Sequence, residues 1–223
     1  MTAKNRTKVY VENTYYHVYN RGVEKRTIFL DEKDYKVFLS YLQFYLMPPP
    51  SLRGPSPKSY PSQQLSNHNN KISLVSYCLM PNHFHLAIKQ VDKDSMTNFI
   101  RALSTRYSMY FNKRYTRVGS LFQGRYKAVL IENDMQFLYL TKYIHRNPLA
   151  LAEYTAKNLL DYPYSSYRNY TGIIHQSWVD PSNVIYRYLG NNPHNSYQSF
   201  VEETKEISDE IETLGGLTLD HDT

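Results

Sequence analysis

Apolar and polar positions change period several times along the chain, and each change marks an element. Residues 14–20, TYYHVYN, are β-branched and aromatic and stop at Arg21-Gly22, which predicts a strand. From Asp31 to Leu46 the period lengthens. Tyr35, Phe38, Leu42 and Tyr45 recur at helical spacing, Asp31 stands as the N-cap, and Pro48-Pro49-Pro50 ends the helix. ISLVSYCL, residues 72–79, predicts a second strand. MPNH turns it, and HFHLAIKQ, residues 83–90, returns as its hairpin partner. Asp94 or Ser95 caps a helix whose stripe is Phe99, Leu103, Tyr107 and Phe111. After the break at Gly119, LFQGRYKAVLIE, residues 121–132, predicts another strand. Asn133 or Asp134 opens a last helix, which must end near Asn147 because Pro148 follows.

The order is strand, helix, strand, strand, helix, strand, then one more helix. That order predicts an α+β fold: a ferredoxin-like βαββαβ antiparallel sheet with helices on one face and an appended helix. Residues 1–150 read as one domain. Residues 48–70, rich in Pro, Ser, Asn and Gln, read as a flexible inserted loop. Residues 151–199 are aromatic and irregular and read as an extension packed on the domain. Residues 200–223 read as an acidic, partly disordered tail in which 200–213 has the pattern of an amphipathic helix.

Charge sharpens this division. From Phe200 onward, eight acidic residues face one basic residue, while the rest of the chain carries 25 basic against 12 acidic. A basic body is the electrostatic footprint of a polyanion binder. The span Ser95–Ile131 holds Arg101, Arg106, Lys113, Arg114, Arg117, Arg125 and Lys127 and no acid at all. A merely solvated face usually mixes both signs, so this span points to phosphate contact. The 23 tyrosines, several among these charges, suit stacking on bases as well as core packing. One cysteine, Cys78, excludes an intramolecular disulfide and a CxxC metal site. No apolar segment approaches the length of a membrane span, and the N-terminal residues have no signal-peptide core. The expected location is the cytoplasm, with nucleoid association and no membrane partner.

Candidate chemistry begins at MPNHFHLAIK. On a strand, His83 and His85 share one face while Phe84 and Leu86 take the other. Neutral imidazoles are common ligands of divalent metals, but two are too few, and a lone HxH reads first as exposed or structurally bonded histidines. The last predicted helix, DMQFLYLTKYIHRNP, offers a complement. Phe137, Leu140 and Ile144 make a packing stripe, and Tyr139, Tyr143 and Asn147 lie at i, i+4 and i+8 on another face. Phenol hydroxyls and an amide oxygen there can meet a hard cation. Spacing alone does not choose between the tyrosines, and Asn147 also reads as an ordinary helix cap.

MPNHFHLAIK, a basic helix, GSLFQGRYKA and YIHRNPL follow one another in order, flanked by YHVYNRG (16–22) and YPYSSYRNY (162–170). Together they resemble the HUH single-tyrosine transposases. They resemble most closely the REP-associated tyrosine transposase branch of the insertion-sequence 200-like family. The resemblance runs from residue 14 to about 203 and leaves out the central loop. It implies that His83 and His85 are the HUH histidines and that Tyr143, rather than Tyr139, is the nucleophile. It also makes Asn147, four residues later, the third ligand of a Mg²⁺ or Mn²⁺ ion. The implied reaction cleaves and rejoins single-stranded DNA at hairpin or palindromic repeats through a 5′-phosphotyrosine. Arg21, Arg101, Arg106, Arg125 and Lys127 are the expected DNA contacts. His145 receives no metal role, and His17 is expected to be structural or to face DNA.

Three rival readings stand beside this one. The first is a non-catalytic DNA- or RNA-binding protein on the same fold. The second is a nuclease in which water attacks, and the third is an HUH replication-initiator or relaxase-like protein. Monomer and homodimer are equally compatible with the patterning.

Overall fold

The computed structural model describes residues 10–48, 67–185 and 193–203. Four strands, β1 (Tyr15–Arg21), β2 (Ile72–Met80), β3 (His83–Gln90) and β4 (Lys127–Leu130), form one antiparallel sheet in the order β2-β3-β1-β4. Helix α1 (Glu32–Leu46) links β1 to β2, and α2 (Ser95–Arg114) links β3 to β4. Helix α3 (Asp134–Arg146) follows, and three shorter helices, α4 (Tyr167–Tyr170), α5 (Ser182–Ile185) and α6 (Pro193–Glu202), come after it. The ferredoxin-like α+β architecture read from the element order is therefore the one observed, with β1 and β3 at its centre.

Alternation along the strands splits the core in two. Tyr16 and Val18 of β1 and Phe84, Leu86 and Ile88 of β3 pack under Phe38 and Leu42 of α1 and Phe99, Leu103 and Tyr107 of α2. Val75, Cys78, Met80 and Ala87 face the other way, toward Phe137, Leu140 and Ile144 of α3. Thus α1 and α2 cover one face, and α3 crosses the opposite one. Tyr162, Tyr167 and Tyr170, with Tyr197 and Val201 of α6, close the space around α3. The bland reading of most tyrosines, amphipathic core residues, holds here: buried Tyr162 and Tyr170 hydroxyls bond the backbone oxygens of Leu79 and Val75.

The helix starts follow capping chemistry. Asp31 accepts from the Asp34 amide at α1, and Asn133 accepts from the Gln136 amide at α3. Asp34 is fully buried and is bonded by the Leu30 amide, the Tyr110 and Tyr115 hydroxyls and the Arg114 guanidinium. A buried carboxylate is tolerable only when so fully bonded, and this one ties α1 to α2. Arg114, one of the seven basic residues of the acid-free span, is thereby committed to structure.

Three expectations change. The strand predicted over 121–132 shrinks to Lys127–Leu130. Gly119 and Gly124 adopt positive φ of 96° and 71°, which bends GSLFQG away as a loop held by a single bridge from Phe122 to Gly22. The span read as irregular, 151–199, contains the start of α6, because Tyr197 and Val201 bury themselves beside Tyr170. Of the acidic helix expected over 200–213, residues 200–202 are the end of α6, Glu203 is not helical, and residues 204–223 lie outside the described residues. Residues 49–66 of the inserted loop also lie outside them.

Gly22 ends β1 under tight constraint. Its amide donates to Asn82 O at 2.8 Å, and a Cβ placed on it would stand 2.2 Å from Arg26 O. Backbone must move to accept any side chain, so Gly22→Ala is expected to cost about 2 kcal/mol or more. A lowered denaturant midpoint with unchanged slope would show this.

Candidate active site

Strand parity and register assemble the site on the α3 face of the sheet. From β3 come His83 and His85, and from β1 come His17, Tyr19 and Arg21, with Arg21 opposite His83 and Tyr19 opposite His85. Lys127 of β4 lies opposite Tyr19. The ring of Tyr143 comes down from α3, its centroid 5.5 Å from that of His85 and 6.1 Å from that of His17, edge-on to both. The Tyr139 ring instead sits 5.6 Å from Phe200 of α6. Geometry therefore separates two tyrosines that spacing left equivalent.

Hydrogen bonds orient the polar atoms. Asn147 Nδ2 donates to Tyr143 O at 2.9 Å, which leaves its Oδ1 3.4 Å from His83 Nε2. The cap reading and the ligand reading of Asn147 are thus compatible, since they use different atoms. His83 Nδ1 is 2.6 Å from Asn82 Oδ1, and Asn82 Nδ2 donates to Lys25 O. His85 Nδ1 is 2.9 Å from His17 Nε2, while His85 Nε2 is buried and makes no hydrogen bond. Burial holds the His85 imidazole well below its ordinary pKa, neighbouring His83 and His17 push the same way, and the Asn147 side chain opposes them. His85 is accordingly neutral at physiological pH.

Among the described residues, no group of three or more His, Cys, Asp or Glu side chains comes together to hold a metal. The set that converges is two imidazoles and one amide. An orphaned buried Nε2, a second Nε2 and an amide oxygen fit a divalent ion that keeps other positions open to water or phosphate.

The expected DNA contacts divide. Arg125 is exposed in the loop just before β4, while Arg21, bonded through Nε to Gln123, and exposed Lys127 rim the histidine face. Arg101 and Arg106 do not: both stand on α2, behind the sheet. Arg101 bonds Asn98, and the Arg106 guanidinium lies over the rings of Tyr41 and Phe44 of α1. Helical position on a basic stretch did not reveal which layer α2 would join. His17 is fully buried, so it does not face DNA.

His145 anchors the helix that carries Tyr143. Its ring is buried, with Nδ1 2.7 Å from Tyr197 Oη and Nε2 2.8 Å from Ser166 Oγ. Ser166 Oγ in turn accepts from the Tyr77 amide of β2. One imidazole thus joins YIHRNP to YPYSSYRNY, to the sheet and to α6. Burial depresses its pKa to about 3. The unfolded chain takes up this proton near pH 6.5, whereas the folded chain refuses it until about pH 3, so stability falls as pH drops through that window. The contribution at pH 5 is about 2 kcal/mol. Denaturation at pH 7.5 and 5.0 is expected to show the gap between wild type and His145→Gln narrowing by roughly that amount. An unchanged gap would contradict burial of a neutral ring.

Comparisons with known proteins bear on the fold and on one stretch of the sequence. No curated protein matches the chain. A solved REP-associated tyrosine transposase bound to a REP hairpin superposes with a TM-score of 0.54 at 13% identity, over 80% of this chain and 95% of that one. A crystal structure of a protein from Deinococcus radiodurans R1, provisionally assigned as a transposase, aligns with a TM-score of 0.37 at 15% identity. That alignment covers 64% of this chain and 96% of that one. Within the sequence itself, residues 62–147 match the family model described as "Transposase IS200 like", a span that contains both histidines, Tyr143 and Asn147. Over residues 62–147 the chain is similar to the IS200-like transposases.

Proposed function

We propose that the chain is a REP-associated tyrosine transposase that cleaves and rejoins single-stranded DNA at hairpin-forming repeats. Tyr143 acts as nucleophile, and His83, His85 and Asn147 hold a Mg²⁺ or Mn²⁺ ion. Residues 1–150 form the catalytic unit in this reading, with 151–199 as an extension behind α3. The single observation that carries it is convergence: one sheet face brings both histidines, the Asn147 amide and the Tyr143 ring to a common point.

Tyr143 Oη attacks the scissile phosphorus, its O–P bond forms, and the P–O3′ bond breaks. The departing strand keeps a 3′-hydroxyl, the phenolic proton balancing it, and the 5′-phosphate stays on Tyr143. The covalent step conserves the bond for rejoining. When bound, the metal supplies charge to a phosphate oxygen as a Lewis acid. Arg21, Arg125 and Lys127 draw the DNA backbone onto the face. α3, fixed through His145, holds Tyr143 over the histidines so that little motion is needed before attack.

Incubation with end-labelled hairpin oligonucleotides and Mn²⁺ tests the proposal. The expected result is an SDS-stable protein adduct on the 5′ end of the downstream fragment, with a free 3′-hydroxyl on the upstream product. Tight binding without any adduct would favour the non-catalytic reading, and cleavage without an adduct would favour attack by water.

A further inference from the structure

Within the metal-site reading above, we infer that His17, on a different strand from the ligands, is the positioning residue that aims His85 at the metal. A buried imidazole must account for both ring nitrogens. His85 Nδ1 meets His17 Nε2 at 2.9 Å, and His85 Nε2 has no partner. If Nε2 carried the proton, a buried N–H would have no acceptor at hydrogen-bond geometry. If Nδ1 carries it, the ring donates to His17 and turns a bare Nε2 lone pair into the site.

The neighbouring ligand follows the same rule with a clearer sign. Asn82 Nδ2 donates to Lys25 O, which fixes the amide so that its Oδ1 accepts from His83 Nδ1 at 2.6 Å. His83 Nε2 then presents its lone pair toward Asn147 Oδ1, 3.4 Å away. His17 does for His85 what Asn82 does for His83. The His17 and His85 rings lie nearly parallel, 16° apart with centroids at 5.1 Å, a diagonal pair across β1 and β3 on one face.

A ligating histidine generally gives its second N–H to an acceptor, commonly a carboxylate. A carboxylate here would add negative charge beside a phosphate substrate. A neutral imidazole accepts the same hydrogen bond without opposing the substrate's charge, and its full burial excludes water from the bond.

Two measurements on the full chain without DNA test this. In the metal-free wild type, long-range ¹H–¹⁵N NMR of the imidazoles is expected to show His85 protonated at Nδ1. Mn²⁺ binding by electron paramagnetic resonance is expected to weaken about 10- to 100-fold in His17→Leu. In His17→Gln, whose amide oxygen can replace Nε2 as acceptor, it should stay within about threefold of wild type. An Nε2-protonated His85, or wild-type Mn²⁺ affinity in a folded His17→Leu, overturns the role of His17. Should His17→Leu not fold, the wild-type tautomer decides. Failure of the underlying metal-site reading looks different: wild type binds no Mn²⁺, or His85→Ala binds it equally well.

Discussion

Tyr143→Phe is expected to abolish the covalent DNA adduct and lower strand cleavage by at least about 10³-fold, as removal of a nucleophile does. The change deletes one oxygen and leaves the ring, so packing against His85 and His17 and the fold should persist. Tyr139→Phe is the matched control. Its ring rests on Phe200, away from the histidines, and its cleavage rate should stay within a few-fold of wild type. A Tyr143→Phe protein that cleaves normally would transfer the chemistry to water. Gel quantification of adduct and free product separates the two results.

His85→Ala is expected to have the second-largest effect, a fall in cleavage on the order of 10²- to 10³-fold, because several kcal/mol of charge stabilisation depend on its ligand atom. His85 Nε2 is the buried atom of this site that has no hydrogen bond, and the substitution removes it together with the Nδ1 that meets His17. The two variants should respond differently to Mn²⁺. Raising its concentration should partly restore His85→Ala by mass action, whereas Tyr143→Phe should not recover at any concentration. Full activity of His85→Ala at low Mn²⁺ would remove the imidazole from the ligand set.

Much of this geometry is legible in local pattern. Alternation in HFHLAIK puts His83 and His85 on one face and Phe84 in the core, and the Asp31 and Asn133 caps place two helix starts. Long-range pairing is a different matter. Nothing in YHVYNRG announces that His17 will lie diagonal to His85, since that depends on β1 pairing with β3 rather than with its sequence neighbour. His17 and Tyr19 do share strand parity, which is the one local signal that they face together. The layer of Arg101 and Arg106 is hidden for a related reason: an acid-free helix face shows charge, but the sheet face it packs against sets which side that charge occupies. Tyr139 and Tyr143 are equivalent by spacing, and their tertiary neighbours separate them, His85 and His17 at Tyr143 and Phe200 of α6 at Tyr139.

The proposed chemistry predicts one covalent bond at one atom. Mass spectrometry of the protease-digested adduct formed with Mn²⁺ and a hairpin oligonucleotide locates it. The predicted result is a 5′-phosphonucleotide on Tyr143, in the peptide that begins after Lys142 and ends at Arg146. A nucleotide on Tyr139 or on any other residue, or cleaved DNA with no modified peptide, would contradict it.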